Sequence, residues 1–195
     1  MINPNKNSKN NNLIPPHGGY RGLASYQMAE IVYDATVKFC NRFLDKRSRT
    51  YDQMVQAARS GKQNIAEGST ASGTSKKIEL KLIGIARASL EELLQDYEDF
   101  IRLNNLSLWD KDDPRALKIR KIGSLKNRNY MSYKTYIENA PRETAANTLI
   151  CIIHQTNYLL DQQLRRLERD FLEKGGFTER MYKIRKEKRD YNKRR

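Results

Sequence analysis

The residues best suited to chemistry in this chain are cations followed by aromatics. Arg115, Lys118, Arg120, Lys121, Lys126 and Arg128 precede Tyr130, Tyr133 and Tyr136. Guanidinium and ammonium groups neutralise phosphates, and tyrosine rings stack on unpaired bases, so this order suits nucleic acid. Arg180, Lys183, Arg185, Lys186, Lys188 and Arg189 form a second cationic run. The net charge of +14 is concentrated in the same places, because residues 114–142 and 180–195 each carry +7. Concentrated positive charge attracts polyanions and speeds their capture. The pattern also has a plain alternative, in which the tyrosines pack the segment onto a core and the cations face an acidic protein. No RNA-binding fingerprint occurs.

A second stretch, SGKQNIAEGSTASGTSKK at 60–77, has the glycines, hydroxyls and lysines of a phosphate loop. It fails the Walker pattern, since Gly61-Lys62 is followed by Gln63 and no glycine stands five residues before Gly61. It reads instead as a corner between helices. Ile65 plugs the core, Gly68 ends the first helix, and Ser75 caps the second. Asn64 belongs to the same corner, and Glu67 is expected to accept hydrogen bonds from the turn or from a neighbouring arginine. Ser75, Lys76 and Lys77 remain a candidate contact for one anion at the start of a helix.

No catalytic constellation emerges. Cys151 and His154 share a helical face, but Leu149-Ile150-Cys151-Ile152-Ile153 is apolar and no orienting group or oxyanion hole accompanies them. The histidines, His17 and His154, lack the Glu-x-x-His spacing of a di-metal bundle. Glu91, Glu92, Asp96, Glu98 and Asp99 on one helix suit a solvated face, with Arg87 and Arg102 at pairing distance. Cys40 and Cys151 give neither a disulfide framework nor a metal signature. The expectation is no catalytic residue, no cofactor and no metal.

These residues need helices to position them. Met28, Ile31, Val32, Ala35, Phe39 and Phe43 recur at spacings of three and four, as one buried helical face requires. A second helix starts near Thr50 and stops around Glu67-Gly68. A third runs from Ser75 to about Asn104, a rod of about 45 Å. Asp113-Pro114 opens a short helix through Ile122. Asn139-Ala140-Pro141 starts the last long helix, which Gly175-Gly176 stops. A terminal helix follows on Phe177, Met181, Ile184 and Tyr191, marginal if alone. No apolar run approaches the 18 or so residues of a membrane span, and residues 1–19 lack the apolar region of a signal peptide.

Ser60-Gly61-Lys62-Gln63-Asn64-Ile65-Ala66-Glu67-Gly68-Ser69 resembles the "SIPSNIAEGS" corner of the four-helix-bundle proteins encoded in intervening sequences of bacterial 23S ribosomal RNA genes. The match is closest over Asn64 to Ser69. Ile85-Ala86-Arg87-Ala88-Ser89-Leu90-Glu91-Glu92-Leu93 resembles the family's "IARGSLxEL" helix. The similarity covers residues 25–105, with 141–173 supplying the fourth helix. The segment at 106–140 and the tail after Gly176 point to the longer branch with a suffix domain. The resemblance implies a homo-oligomer, pentameric in known members, and a distant relation to accessory proteins of diversity-generating retroelements, which bind a reverse transcriptase and nucleic acid.

The sequence thus predicts an all-α antiparallel four-helix bundle with a basic insertion between helices three and four and a basic C-terminal extension. Its divisions are a flexible arm at 1–22, three bundle helices at 23–105, the insertion at 106–140, the fourth helix at 141–174 and the suffix at 175–195. The function expected is non-enzymatic, cytoplasmic nucleic-acid binding, with RNA favoured and self-association. The alternative is an interaction scaffold or an accessory subunit of a nucleic-acid enzyme.

Overall fold

The computed structural model describes residues 13–194; the first twelve residues of the predicted arm and Arg195 of the suffix lie outside the described residues. Six α-helices follow one another: α1 (Ala24–Phe43), α2 (Arg49–Ala71), α3 (Lys76–Leu103), α4 (Pro114–Gly123), α5 (Arg142–Lys174) and α6 (Phe177–Lys193). No strand occurs among the described residues. Local chemistry sets the ends. The side chains of Ser48, Ser75 and Asp113 accept from Tyr51, Ile78 and Arg115 backbone N–H groups, opening α2, α3 and α4. Gly175 closes α5 at φ +69°, a conformation that costs glycine little.

Helices α1, α2, α3 and α5 pack in a ring, α1 and α3 each lying against both α2 and α5. Their inward residues are fully buried, among them Met28, Phe39, Met54, Ile65, Leu90, Leu93 and Leu149. Phe39 meets Tyr97 edge-on at 5.0 Å and Phe100 at 4.9 Å, close to the preferred aromatic geometry. The Tyr97 hydroxyl, buried with the ring, donates to Thr36 Oγ1 at 3.1 Å.

The four-helix count does not hold. Ala116 and Ile119 of α4 are buried in the same core, together with Trp109, Tyr133 and Ile137. The basic segment is therefore a wall of the bundle and not an attachment to it. Asn147 on α5, 1% exposed, fixes one end: its Oδ1 accepts from the Trp109 backbone N–H at 2.8 Å and its Nδ2 donates to the Ser107 carbonyl at 2.9 Å. Arg42 of α1 fixes the other by donating to the carbonyls of Ile137 and Ala140. The reason lies in α5, where all nine residues from Ala145 to Ile153 are buried. A helix apolar on every side needs cover on every side, and α4 supplies what α1 and α3 leave open. The fold is a bundle of five helices, with α6, none of whose residues is buried, as a sixth.

The corner also differs from expectation. Helix α2 runs through Gly68 to Ala71, and Gly68 does not have a positive φ. It is a mid-helix contact instead, where a Cβ would lie 3.4 Å from the Glu79 carbonyl, Leu82 and Ile83. Glu67 is exposed on the helix wall, and Asn64 bonds back to the Ser60 carbonyl at 2.9 Å. Ile65 is fully buried, as a core plug should be. Among the described residues no helix is long and apolar enough to cross a membrane.

Candidate nucleic-acid interface

The six cations of the 115–128 segment do not act together. Arg115 is engaged with protein: it pairs with Asp113 at 2.8 Å and Glu143 at 3.7 Å and lies over the Trp109 ring at 4.7 Å. Hydrogen bonds from Arg115 hold the Asp113 carboxyl below the usual carboxylate range. Replacement of Arg115 by glutamine should lower the melting temperature slightly and leave nucleic-acid affinity and its salt dependence unchanged. A flatter salt slope in that variant would return Arg115 to the interface. Lys118 sits 5.7 Å from the Tyr136 ring, while Lys121 and Lys126 are exposed.

The tyrosines leave the set for a different reason. Tyr133 is fully buried, and burial pushes its phenol up to about 12. No base can stack on it while the bundle is folded. Tyr130 is half-buried and donates to Glu138 Oε1 at 2.6 Å. Burial, then that bond, raises the Tyr130 phenol, and the same bond lowers the Glu138 carboxyl. A carboxyl lowered by folding contributes stability above its unfolded pKa, and the contribution is lost as pH falls through the folded value. Tyr130→Phe should therefore return Glu138 toward an ordinary carboxylate titration and reduce the acid sensitivity of folding. Carbon-detected NMR of the carboxylates reads this directly; an unmoved Glu138 would assign its shift to Lys134 and its other cationic neighbours.

What the fold does assemble is a groove along α5. Arg120 and Arg128 reach it from α4 and the loop that follows. One cavity of about 550 Å³ is lined by Met28, Arg120, Gly123, Arg128, His154, Gln155, Tyr158 and Leu159, among others. A second, of about 480 Å³, is lined by Leu23, Ser25, Gln163, Arg165, Arg166 and Arg169. The two share Ala24 and Leu159 and are therefore neighbours along α5. From Gln155 to Arg169 the groove side chains recur at helical spacing over about 21 Å at 1.5 Å per residue. At 3.4 Å per stacked nucleotide this accommodates roughly six.

Five arginines line this path, and none is in an ion pair among the described residues. Arg128 is held by soft or single acceptors, its Nε donating to Met28 Sδ at 3.0 Å and its Nη1 to the Leu125 carbonyl at 3.0 Å. Arg120 lies near the Cys151 thiol, where its charge opposes the effect of burial. Each guanidinium has five N–H donors, so most of their capacity is left for an anion. The first turn of α1 carries no acid and its cap makes no side-chain bond, so its partial positive end adds to the field. Gln155 donates to the Arg120 carbonyl at 2.9 Å, and its amide fills the space a Cβ on Gly123 would need. Beyond Arg128 the charges are mixed. A neighbouring cavity holds Arg21 and Lys126 but also Glu30 and Asp34, and burial followed by the charge of Glu30 raises the Asp34 carboxyl.

The candidate anion contact at the corner is spent. Ser75 caps Ile78, Lys76 pairs with the buried Glu79 at 2.7 Å, and of the three only Lys77 is in no hydrogen bond or ion pair among the described residues. The His17 ring covers Gly73, while the Gly18 N–H donates to the Ser69 carbonyl at 3.1 Å. On α6, Arg180 is half-buried and Lys183, Arg185, Lys186, Lys188 and Arg189 are exposed. Cys151 is buried with its thiol raised by burial, and His154 faces the groove, so the two do not form a thiolate–imidazole pair. Among the described residues no group of His, Cys, Asp and Glu could hold a metal ion.

No protein-family model, curated protein or solved structure matches the chain. The four-helix architecture implied by the resemblance is replaced by five to six helices, and nothing found ties the chain to the 23S intervening-sequence proteins or to RNA in particular. The preference for RNA rested on tyrosines that are buried or bonded.

The residues that sequence reasoning missed are Arg165, Arg166 and Arg169, with His154, Gln155 and Tyr158. A signal existed. Tyr158, Gln162, Arg165, Arg166 and Arg169 fall at spacings of three and four on the polar side of α5.

Proposed function

We propose that this helical-bundle protein binds the phosphate backbone of a nucleic acid, with no chemical turnover, through the arginine groove on α5 and a second contact on α6. The observation that carries the reading is the convergence of Arg120, Arg128, Arg165, Arg166 and Arg169 on two neighbouring cavities, none of them in an ion pair among the described residues. Clustering like charges costs self-repulsion, and an anionic polymer relieves it. The exposed cations of α6 extend the same attraction. Self-association would present several grooves to one polymer and raise avidity.

The binding role is also supported by the thiols. Burial pushes Cys40 up to about 12 and raises Cys151, so neither is a ready nucleophile. Two free buried thiols suit a cytoplasmic, reducing setting.

The test is a titration of nuclease-treated protein into labelled single-stranded RNA, single-stranded DNA and duplex at low and near-physiological salt. Submicromolar binding that weakens linearly in the logarithm of salt is expected. Absence of binding at both salt concentrations overturns the reading and assigns the cations to an acidic protein partner.

A further inference from the structure

A groove that held phosphates alone would need cations and little else. The larger of the two cavities is built differently. Its floor is Met28, 1% exposed, with Ala24 and Leu159 beside it, and its rim carries the Tyr158 side chain, 62% exposed. Among the described residues Tyr158 makes no hydrogen bond, ring contact or ion pair, so its aromatic face is left to solvent. Tyr97, Tyr133 and Phe39 are fully buried, while Tyr182 and Tyr191 of α6 are about as exposed as Tyr158. Arg120 and Arg128 stand on the same cavity, half-buried, and His154 is exposed at its edge.

We propose that this cavity receives one unstacked base of a single strand, with its ring against Tyr158 and its flanking phosphates on Arg120 and Arg128. The inference rests on the phosphate-binding reading above and adds to it a ligand class, single-stranded over duplex nucleic acid. The chemistry fits at each point. A base has an apolar face that stacking removes from water, and every base has one, so a tyrosine platform binds without demanding sequence. The volume of about 550 Å³ falls within the range of small-ligand cavities, several hundred Å³ and upward. Duplex bases are already stacked and paired, so a duplex could use the arginines but not the cavity.

The same geometry explains the spacing along α5. Tyr158 stands seven and eight residues before Arg165 and Arg166, two helical turns or about 11 Å. A strand with one base turned into the cavity would then run its next phosphates toward the second cavity and its three arginines.

The experiment compares Tyr158→Ala and Tyr158→Phe with the unsubstituted protein, by fluorescence anisotropy, on three labelled ligands of equal length: oligothymidylate, an abasic single strand, and a duplex. Tyr158 is largely exposed, so both variants should keep the parent melting temperature. Tyr158→Ala is expected to weaken oligothymidylate binding about tenfold, the loss of one stacked base. It should leave the abasic strand and the duplex within about twofold, and Tyr158→Phe should bind as the parent does. Equal losses on all three ligands, or none on oligothymidylate, overturn the base pocket while the phosphate reading stands. If the unsubstituted protein binds none of the three at low salt, both fall together.

Discussion

Exchange of Arg165, Arg166 and Arg169 for glutamine should weaken single-strand binding on the order of 100-fold at moderate salt, with the logarithmic salt slope flattened by about two units. Each cation that meets a phosphate releases about 0.7 of a counterion from a single strand, so three lost contacts remove about two from the slope. The fold should not notice. All three side chains are exposed, and none is in an ion pair among the described residues. Affinity and slope therefore change while the melting temperature holds. Affinity lost without a change of slope would mean the arginines act through structure and not through phosphates. An unchanged affinity would move the interface to α6, where exchange of Lys183, Lys186 and Arg189 gives the parallel measurement.

The second large effect concerns folding and separates two glycines of α2 that look alike in sequence. Gly61→Val should cost about 3 kcal/mol, at the upper end for overpacking a core. A Cβ at Gly61 would lie 2.7 Å from Leu90 Cδ2 and 2.8 Å from its Cγ, and Leu90 is fully buried, so it must shift within a packed core. Gly68→Ala is expected to be neutral or stabilising by up to about 1 kcal/mol. Its Cβ meets neighbours at 3.4 Å, and alanine restores the helix propensity that glycine lacks. Urea unfolding midpoints for the two variants should move in opposite directions or differ in size by several fold. A Gly61→Val midpoint equal to that of the parent would mean that α2 and α3 do not touch at Leu90.

That contrast marks how far the sequence could be followed. Both glycines fall in the same corner motif, and the motif draws attention to Gly68 because Ser-Thr-Ala-Ser-Gly follows it. Gly61 carries the tighter contact, and its partner Leu90 lies on another helix, 29 residues on. Which glycine matters depends on how two helices are rotated against each other, and no local pattern contains that. The long helices were legible for the opposite reason. The stripe Met28, Ile31, Val32, Ala35, Phe39 and the caps at Ser75 and Asp113 are local, and they fall inside the elements they predict.

The helix count was misjudged at a place where the sequence did speak. Leu149-Ile150-Cys151-Ile152-Ile153 has no polar side, so it cannot be a helix with one face in water. It requires a further neighbour, and the charged segment from Trp109 to Ile137 is that neighbour. Its apolar residues are few and separated by lysines and arginines, which made the segment look like an appendage. Long cationic side chains mask this easily, since a helix such as α4 can bury Ala116 and Ile119 while Lys118 and Lys121 stay in solvent.

By itself, the sequence determined an all-helical chain, the positions of its long helices and caps, and a strongly positive charge, because periodicity, capping and composition are properties of neighbouring residues. The tertiary structure decided which charges are free. Arg115 and Arg128 stand in the same run, yet one is held by Asp113, Glu143 and Trp109, and the other opens onto a cavity shared with α1 and α5. Tyr133 and Tyr158 are the same residue type, and packing buried the first and left the second on the rim. A side chain is available to a ligand only after its partners are known, and those partners come from distant parts of the chain.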